Sequence, residues 1–305
     1  CLEDANYHLT YLAEAIAASH PSLFANYVAW AKVLLTGIGI PSEELAKNLQ
    51  VVREALKNAL SEETAAIVDE YIEQGLTQLP ELPSELPTFI ESDEPHAELA
   101  LQYLNILLRG ERHVASRLIL DAVEGGINVK DIYMHIFQRS QYEIGRLWQM
   151  NQINVAQEHY CTAATQLIMS QLYPYIFATE RQNHALVATC VGGELHELGV
   201  RMVTDFFEIE GWDTYYLGAN APTPSILQAL KERNADVLAI SATMTFHVRA
   251  VSELIAAVRS NEAFQNIKIM VGGYPFNIEP ALWKQVGADA YAHDAKEAIV
   301  VANTF

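Results

Sequence analysis

The sequence predicts an α/β fold preceded by all-α segments. The expectation is a flavodoxin-like, Rossmann-type five-stranded parallel sheet after a four-helix bundle, with an additional N-terminal helical domain. Three observations carry it. After residue 181 short apolar runs alternate with amphipathic stretches, and before it apolar residues return every three or four positions. Between the two helical regions Pro80, Pro83, Pro87 and Pro95 crowd one short acidic segment, which reads as a linker. The expected divisions are 1–80 (N-terminal helical domain), 81–95 (linker), 96–180 (bundle) and 181–305 (sheet domain).

In chain order, helices are expected at 4–18, 21–36, 41–59 and 61–79. Pro21 and Pro41 stand where a helix begins, Gly37 and Gly39 where one ends, and Glu62 and Glu63 lie near a positive dipole end. Further helices are expected at 97–108, 111–124, 129–150 and 155–173, with connections short enough for antiparallel neighbours. Strands are expected at 184–190, 213–217, 237–240, 267–271 and 288–291. Their near-continuous apolar character means a sheet covered on both faces, and the helices between them mean right-handed parallel crossovers.

Composition narrows the function. The chain has 305 residues, half of them hydrophobic, and 19 Lys and Arg against 38 Asp and Glu, a net charge of -19. Such a chain repels polyphosphate, so direct nucleic-acid binding is not expected. No apolar run reaches the roughly 20 residues that span a bilayer, and the N-terminus lacks the basic and apolar regions of a signal segment. Cys1, Cys161 and Cys190 are few and far apart, two of them in apolar runs, which suits reduced thiols and a cytoplasmic location. The first residue is not Met, so processing or truncation ahead of it is expected.

The stretch Gly192-Gly193-Glu194-Leu195-His196-Glu197-Leu198-Gly199 follows an apolar strand and opens an amphipathic helix. Ligands of α/β sheets bind at the carboxyl ends of strands, so His196 can project from that rim and ligate a metal. Two more strand ends carry small residues, Ser241-Ala242-Thr243 and Gly272-Gly273-Tyr274, which leave room for a flat or elongated ligand beside backbone.

Together, Glu194-x-His196-x-x-Gly199, Ser241-x-Thr243, Gly272-Gly273 and 287–292 resemble the cobalamin-binding domain of methionine synthases, corrinoid methyltransferases and light-sensing repressors. The resemblance covers 183–305 and implies base-off, His-on cobalamin. His196 would then be the lower axial cobalt ligand, with the nucleotide tail passing Ser241, Thr243 and Gly272. Leu195, Glu197, Gly199, Gly273 and Tyr274 complete the implied cofactor contacts. A carboxylate beside a ligating imidazole orients it and raises its basicity, a role open to Glu194. Asp is usual there in methyl-transfer members, and Glu matches the light-sensing branch better.

A second signature lies in the bundle. Trp148 is followed after nine residues by Glu158-His159, with Val155 between, a spacing that resembles the lid of cobalamin photoreceptors. The resemblance implies that Trp148 packs on an upper adenosyl group and that Glu158 hydrogen-bonds it. Gln149 stands where the best-known light-sensing repressors have a second histidine. His159 or His135 could substitute, or no bis-His adduct would form.

Tyr7, Tyr11, Tyr27 and Trp30 cluster in the N-terminal helices, and their default explanation is a core or dimer surface. The alternative is a second chromophore site, since the arrangement is similar to photocobilins, which join cobalamin with a linear tetrapyrrole such as biliverdin. His8, Tyr11, Tyr27, Trp30 and Lys32 are then candidates for ring stacking and propionate contact, and Cys1 for a thioether. The resulting expectation is a light sensor rather than an enzyme. It would bind adenosylcobalamin, form a homo-oligomer whose assembly depends on light, and act on an output partner outside this chain. The alternative is a corrinoid methyl-carrier subunit of a methyltransferase, and a third reading is cobalamin storage or delivery.

Overall fold

Residues 2–177 and 179–305 are described by the structure, a computed structural model. Cys1, the expected thioether residue, lies outside the described residues. The chain opens with helices α1 (Leu2–Ala17), α2 (Pro21–Gly37), α3 (Ser42–Ala59) and α4 (Glu62–Gln78). Their starts follow from local chemistry. Pro41, which has no amide proton to leave unpaired, precedes α3, and the Ser61 hydroxyl accepts from the Thr64 amide at 3.4 Å to cap α4.

The second helical set contains α5 (Ala97–Leu108), α6 (Arg112–Glu124), α7 (Val129–Asp131), α8 (Gln138–Gln149), α9 (Val155–Gln171) and the one-turn α10 (Tyr173–Ile176). The unbroken helix expected over 129–150 is three pieces, because a π-helical stretch, Ile132–Phe137, joins α7 to α8. Ile132, Tyr133, Ile136 and Phe137 within this stretch are all buried. Phe137 meets Tyr103 of α5 at 5.5 Å between ring centres, and Tyr103 donates to or accepts from Thr165 of α9 at 2.9 Å. The linker is held too: the Phe89 amide donates to Glu143 at 2.9 Å and Arg146 donates to the Leu86 carbonyl at 3.0 Å.

The remainder alternates strand and helix: β1 (Ala185–Cys190), α11 (Leu198–Ile209), β2 (Asp213–Gly218), α12 (Thr223–Arg233), β3 (Val237–Ser241), α13 (Val248–Arg259), β4 (Lys268–Gly272), α14 (Tyr274–Ile278), α15 (Leu282–Gln285), β5 (Ala290–Tyr291) and α16 (Ala295–Ala302). All pairings are parallel and the order is β2-β1-β3-β4-β5, the expected flavodoxin-like arrangement. Leu186, Ala188, Cys190, Val237, Ala239 and Met270 face one side, where Val200 and Phe207 of α11 and Ala298 and Ala302 of α16 cover them. The alternate residues Val187, Leu238, Ile240, Ile269 and Val271 are buried as well. Burial on both faces explains why these strands read as continuous apolar runs.

Register sets up the functional rim. Cys190 pairs with Ser241, and Ser241 with Gly272, so three strands end in one row. The turns carrying His196, Thr243 and Gly273 therefore leave the sheet side by side.

Two compact units result. One holds residues 1–32, 41–82 and 180–305, and the other holds 33–40 and 83–179. The sequence predicts a boundary near residue 80, whereas α1 shares its unit with the sheet. It packs on the turn Thr245–His247 after β3, where Tyr11 meets Phe246 edge to face at 5.4 Å. That contact spans 235 positions and has no local sequence signal. Among the described residues no helix is long and apolar enough to cross a membrane.

Candidate functional site

The turn after β1 is built around a buried carboxylate. Glu194 is 0 % exposed, yet its oxygens are fully engaged. Oε1 accepts from the His196 amide at 3.0 Å and from His196 Nδ1 at 2.6 Å. Oε2 accepts from the Thr243 amide at 2.7 Å, the Met244 amide at 3.1 Å and His247 Nδ1 at 2.9 Å. Burial alone would push this carboxyl upward, but the bonds from His196, His247 and the backbone amides outweigh it and hold Glu194 well below the usual carboxylate range. A charged group that receives five hydrogen bonds is a fixed anchor.

His196 itself is 58 % exposed, so the ring stands at the rim while its partner is sealed beneath it. Cys190 Sγ donates to the His196 carbonyl at 3.6 Å, tying the turn back to the end of β1. Asn220, after β2, grips the other side: its side-chain oxygen accepts from the Gly193 amide at 2.8 Å, and its amide donates to the Glu194 carbonyl at 2.9 Å. Glu197 accepts from the Tyr216 hydroxyl and the Ala219 amide, both at 2.9 Å, and so braces the end of β2. Leu195 is 71 % exposed and Tyr274 is 50 % exposed beyond the same row of strand ends. Gly199 lies in the first turn of α11 and Ser241 ends β3.

Gly272 and Gly273 leave no room for side chains. A Cβ on Gly272 would come within 2.9 Å of the Ala292 carbonyl, and one on Gly273, at φ +102°, would overlap the Ala242 carbonyl at 2.0 Å. The backbone of two neighbouring turns meets at that point.

In the helical unit, Trp148 and Glu158 flank the turn between α8 and α9. Trp148 is half-buried, Gln149 buried, and Val155 and His159 exposed. Glu158 accepts from the Thr162 hydroxyl at 3.1 Å and pairs with His159 Nδ1 at 2.5 Å. His135 sits in the π-helical stretch with its ring centre 6.2 Å from that of His96.

The N-terminal candidates are occupied in packing. Tyr11 stacks on Tyr27 at 3.9 Å, Tyr27 lies 6.3 Å from Trp30, and His8 Nδ1 bonds the Tyr27 hydroxyl at 2.8 Å. Lys32, buried, donates to the Leu79 and Leu82 carbonyls at 2.8 and 2.5 Å. It holds the chain that follows α4, so the role expected of it toward a propionate is corrected: its ammonium serves the carbonyls of Leu79, the C-cap of α4, and of Leu82 beyond it. Burial pushes the Tyr11 and Tyr27 phenols upward, as suits uncharged core residues.

His247 and Asn220 were not among the expected site residues. His247 follows Met244-Thr245-Phe246 and Asn220 stands two residues before Pro222, and neither spacing signals a partner 53 or 27 positions away.

Comparison with known proteins now adds to this geometry. Residues 185–301 match a family described as B12 binding domain, and residues 99–173 match a second family of the same description. Over 117 residues the chain is 30 % identical to dimethylamine corrinoid protein 1 of Methanosarcina acetivorans, covering 38 % of this chain and 54 % of that one. It is 27 % identical over 194 residues to monomethylamine corrinoid protein 1 of the same organism, covering 61 % of this chain and 88 % of the relative. The chain spans about half the length of the first of these curated relatives, 54 %. The solved monomethylamine corrinoid protein of Methanosarcina barkeri has a TM-score of 0.61 at 21 % identity, covering 68 % of this chain and 98 % of that chain, a likeness of fold.

The two domain matches and the corrinoid relatives support a cobalamin-binding family. They correct the expected function. Relatives named as methylamine corrinoid proteins favour the methyl carrier over the light sensor, and support neither adenosylcobalamin in particular nor biliverdin. The residue that pointed to light sensing has a local explanation. The longer arm of Glu194 lets one carboxylate reach His196, His247 and two backbone amides at once.

Proposed function

We infer that this chain is a corrinoid-binding methyl carrier that serves a separate methyltransferase, with His196 as the protein's ligand to cobalt. The observation that carries the reading is an exposed imidazole at a strand-end rim, anchored through Nδ1 by a carboxylate that is itself sealed and ionised. With Nδ1 directed at Glu194, Nε2 is the nitrogen that would meet a metal, and the carboxylate bond raises its basicity. Among the described residues no three His, Cys, Asp or Glu side chains gather as a metal site. One histidine ligand suits a metal that arrives with its own equatorial ring, so the donor set fits a corrinoid. When bound, that group supplies a cobalt atom able to accept and hand on a methyl group.

The chain's own residues provide the rest. Leu195 and Tyr274 offer exposed apolar surface to a macrocycle, and Ser241, Thr243, Gly272 and Gly273 bring backbone and small side chains to a nucleotide tail. Glu197 holds the end of β2 against the His196 turn. Residues 99–173 match a second family described as B12 binding domain, and within them Trp148 and Glu158 are the residues to test. The relatives' names support the carrier role and a partner methyltransferase.

The test loads the purified chain with hydroxocobalamin, removes excess by gel filtration and records the visible spectrum. Co-elution with a base-off, histidine-ligated spectrum that His196→Ala abolishes is the expected result. An unchanged spectrum in that variant overturns the ligand assignment, and rapid release of the bound cofactor to other apoproteins overturns the carrier in favour of delivery.

A further inference from the structure

We propose that His247 is a positioning residue for the Glu194–His196 pair, and that α1 fixes His247 through Tyr11 and Phe246. The inference rests on the reading of His196 as a cobalt ligand and adds a part that the strand-end motifs do not contain.

Glu194 has two oxygens with separate tasks. Oε1 accepts from His196, through its amide and Nδ1. Oε2 is held by the Thr243 and Met244 amides and by His247 Nδ1. The two amides belong to one turn, and His247 closes that turn by donating its own amide to the Met244 carbonyl at 2.9 Å. His247 thus acts twice: its side chain holds the carboxylate, and its backbone shapes the turn that supplies the other two donors.

The ring also supports the histidine turn sterically. Gly193 adopts φ +86°, and a Cβ there would stand 3.2 Å from His247 Nε2. The turn is therefore held between the His247 ring on one side and Asn220 on the other. A ligating imidazole has to keep its direction to within a few tenths of an ångström, and partners that fix the orienting carboxylate are part of that precision.

His247 is itself fixed from the N-terminal helices. Its ring meets Phe246 edge to face at 4.6 Å, Phe246 meets Tyr11 at 5.4 Å, and Tyr11 stacks on Tyr27 of α2 at 3.9 Å. Arg249 and Glu14, 3.5 Å apart, clamp α13 to α1 beside this line. All these residues lie within one compact unit. Helices that carry no strand-end motif are thereby linked through two rings, Phe246 and His247, to the carboxylate that orients His196.

The experiment uses the full chain labelled with nitrogen-15 histidine, loaded with cobalamin and reduced to the Co(II) form. Electron paramagnetic resonance reads the axial nitrogen, because nitrogen-14 splits the cobalt lines into three and nitrogen-15 into two. If labelling leaves the wild-type splitting unchanged, histidine ligation fails and with it the proposed function. If labelling changes it, the variants decide the role of His247. His247→Leu, which keeps volume and loses the donor, should weaken hydroxocobalamin binding about tenfold and lower the histidine-ligated fraction. His247→Asn, which keeps a donor near the Nδ1 position, should recover most of both. Tyr11→Leu, remote from the carboxylate, should shift both in the same direction by less, and serves as the readout if His247→Leu does not fold. Wild-type affinity and splitting in His247→Leu, or in Tyr11→Leu where that stands in for it, overturns the proposal, as does equal loss in the Asn and Leu variants.

Discussion

Glu194 Oε1 lies 2.6 Å from His196 Nδ1, and the same oxygen accepts the His196 amide at 3.0 Å, so one buried atom fixes both the ring and the backbone that carries it. The two substitutions that separate charge from hydrogen bonding are Glu194→Gln and Glu194→Ala. Gln keeps one acceptor and loses the ionised oxygen, and cobalamin affinity should fall roughly 10- to 100-fold, the usual cost of losing a carboxylate behind a metal-ligating histidine. Ala leaves buried donors on Thr243, Met244 and His247 without their acceptor and should destabilise the fold by about 3 kcal/mol. Calorimetric titration with hydroxocobalamin and thermal melting check the two effects. Equal affinity in wild type and Glu194→Gln would remove the carboxylate from the ligand's support.

Gly273→Ala tests the close approach behind the site. The added Cβ would meet the Ala242 carbonyl oxygen at 2.0 Å, and since the Cβ position is fixed by its own backbone and the oxygen is backbone, neither can swing aside. With φ at +102° the expected cost is about 3 kcal/mol or more. Gly39→Ala is the control: φ is +81° but nothing lies within 4 Å, so only the backbone preference of about 1 kcal/mol is lost. Similar melting temperatures for the two variants would refute the steric argument.

These contacts show what a sequence can and cannot reveal. β1 and β3 were legible because Leu186-Val187-Ala188 and Val237-Leu238-Ala239 are buried on both faces and therefore apolar without alternation. The place of His196 in a strand-end turn was legible because glycines mark the end of such a strand. His247 was not, since its value arises only when β3 pairs with β1 and places the turn after it against Glu194. The π-helical stretch was hidden too: Ile132-Tyr133 and Ile136-Phe137 continue a helical pattern, and nothing in their spacing marks the wider turn. Lys32 and Tyr11 left two readings open in sequence, packing or ligand contact, and tertiary structure uses one to hold carbonyls and the other to seat α1.

The two described cysteines should be nearly inert. Burial pushes the Cys161 thiol up to about 11, with the nearby Glu158 charge adding to it. Burial pushes Cys190 up to about 12, helped by Glu194 and Glu197. Alkylation needs the thiolate, so at neutral pH the native chain should label at these positions about 100-fold more slowly than after unfolding. Peptide mapping after brief iodoacetamide treatment measures each site separately. Rapid native labelling of the Cys190 peptide would mean that the end of β1 opens readily.

The ion pair of Glu143 and Arg146 gives the helical unit a defined acid sensitivity. Glu143 accepts from Arg146 at 2.6 and 3.0 Å and from the Phe89 amide at 2.9 Å. Burial acts to raise its carboxyl, but the Arg146 and Phe89 bonds prevail and hold it below the usual carboxylate range. A carboxyl whose folded value is depressed contributes its full stability above its unfolded value, about 4.5, and loses that contribution as pH falls through the folded value. Glu143→Gln should therefore cost about 3 kcal/mol at pH 7, where Arg146 is left without its charge partner, and much less at pH 3. Denaturation midpoints in urea at pH 7, 5 and 3, followed by helical circular dichroism, should converge for wild type and variant as the solution becomes acidic. Parallel midpoints across the whole range would show that the charge of Glu143 contributes nothing and that hydrogen bonding from the Phe89 amide and to the Leu86 carbonyl holds this part of the linker against α8.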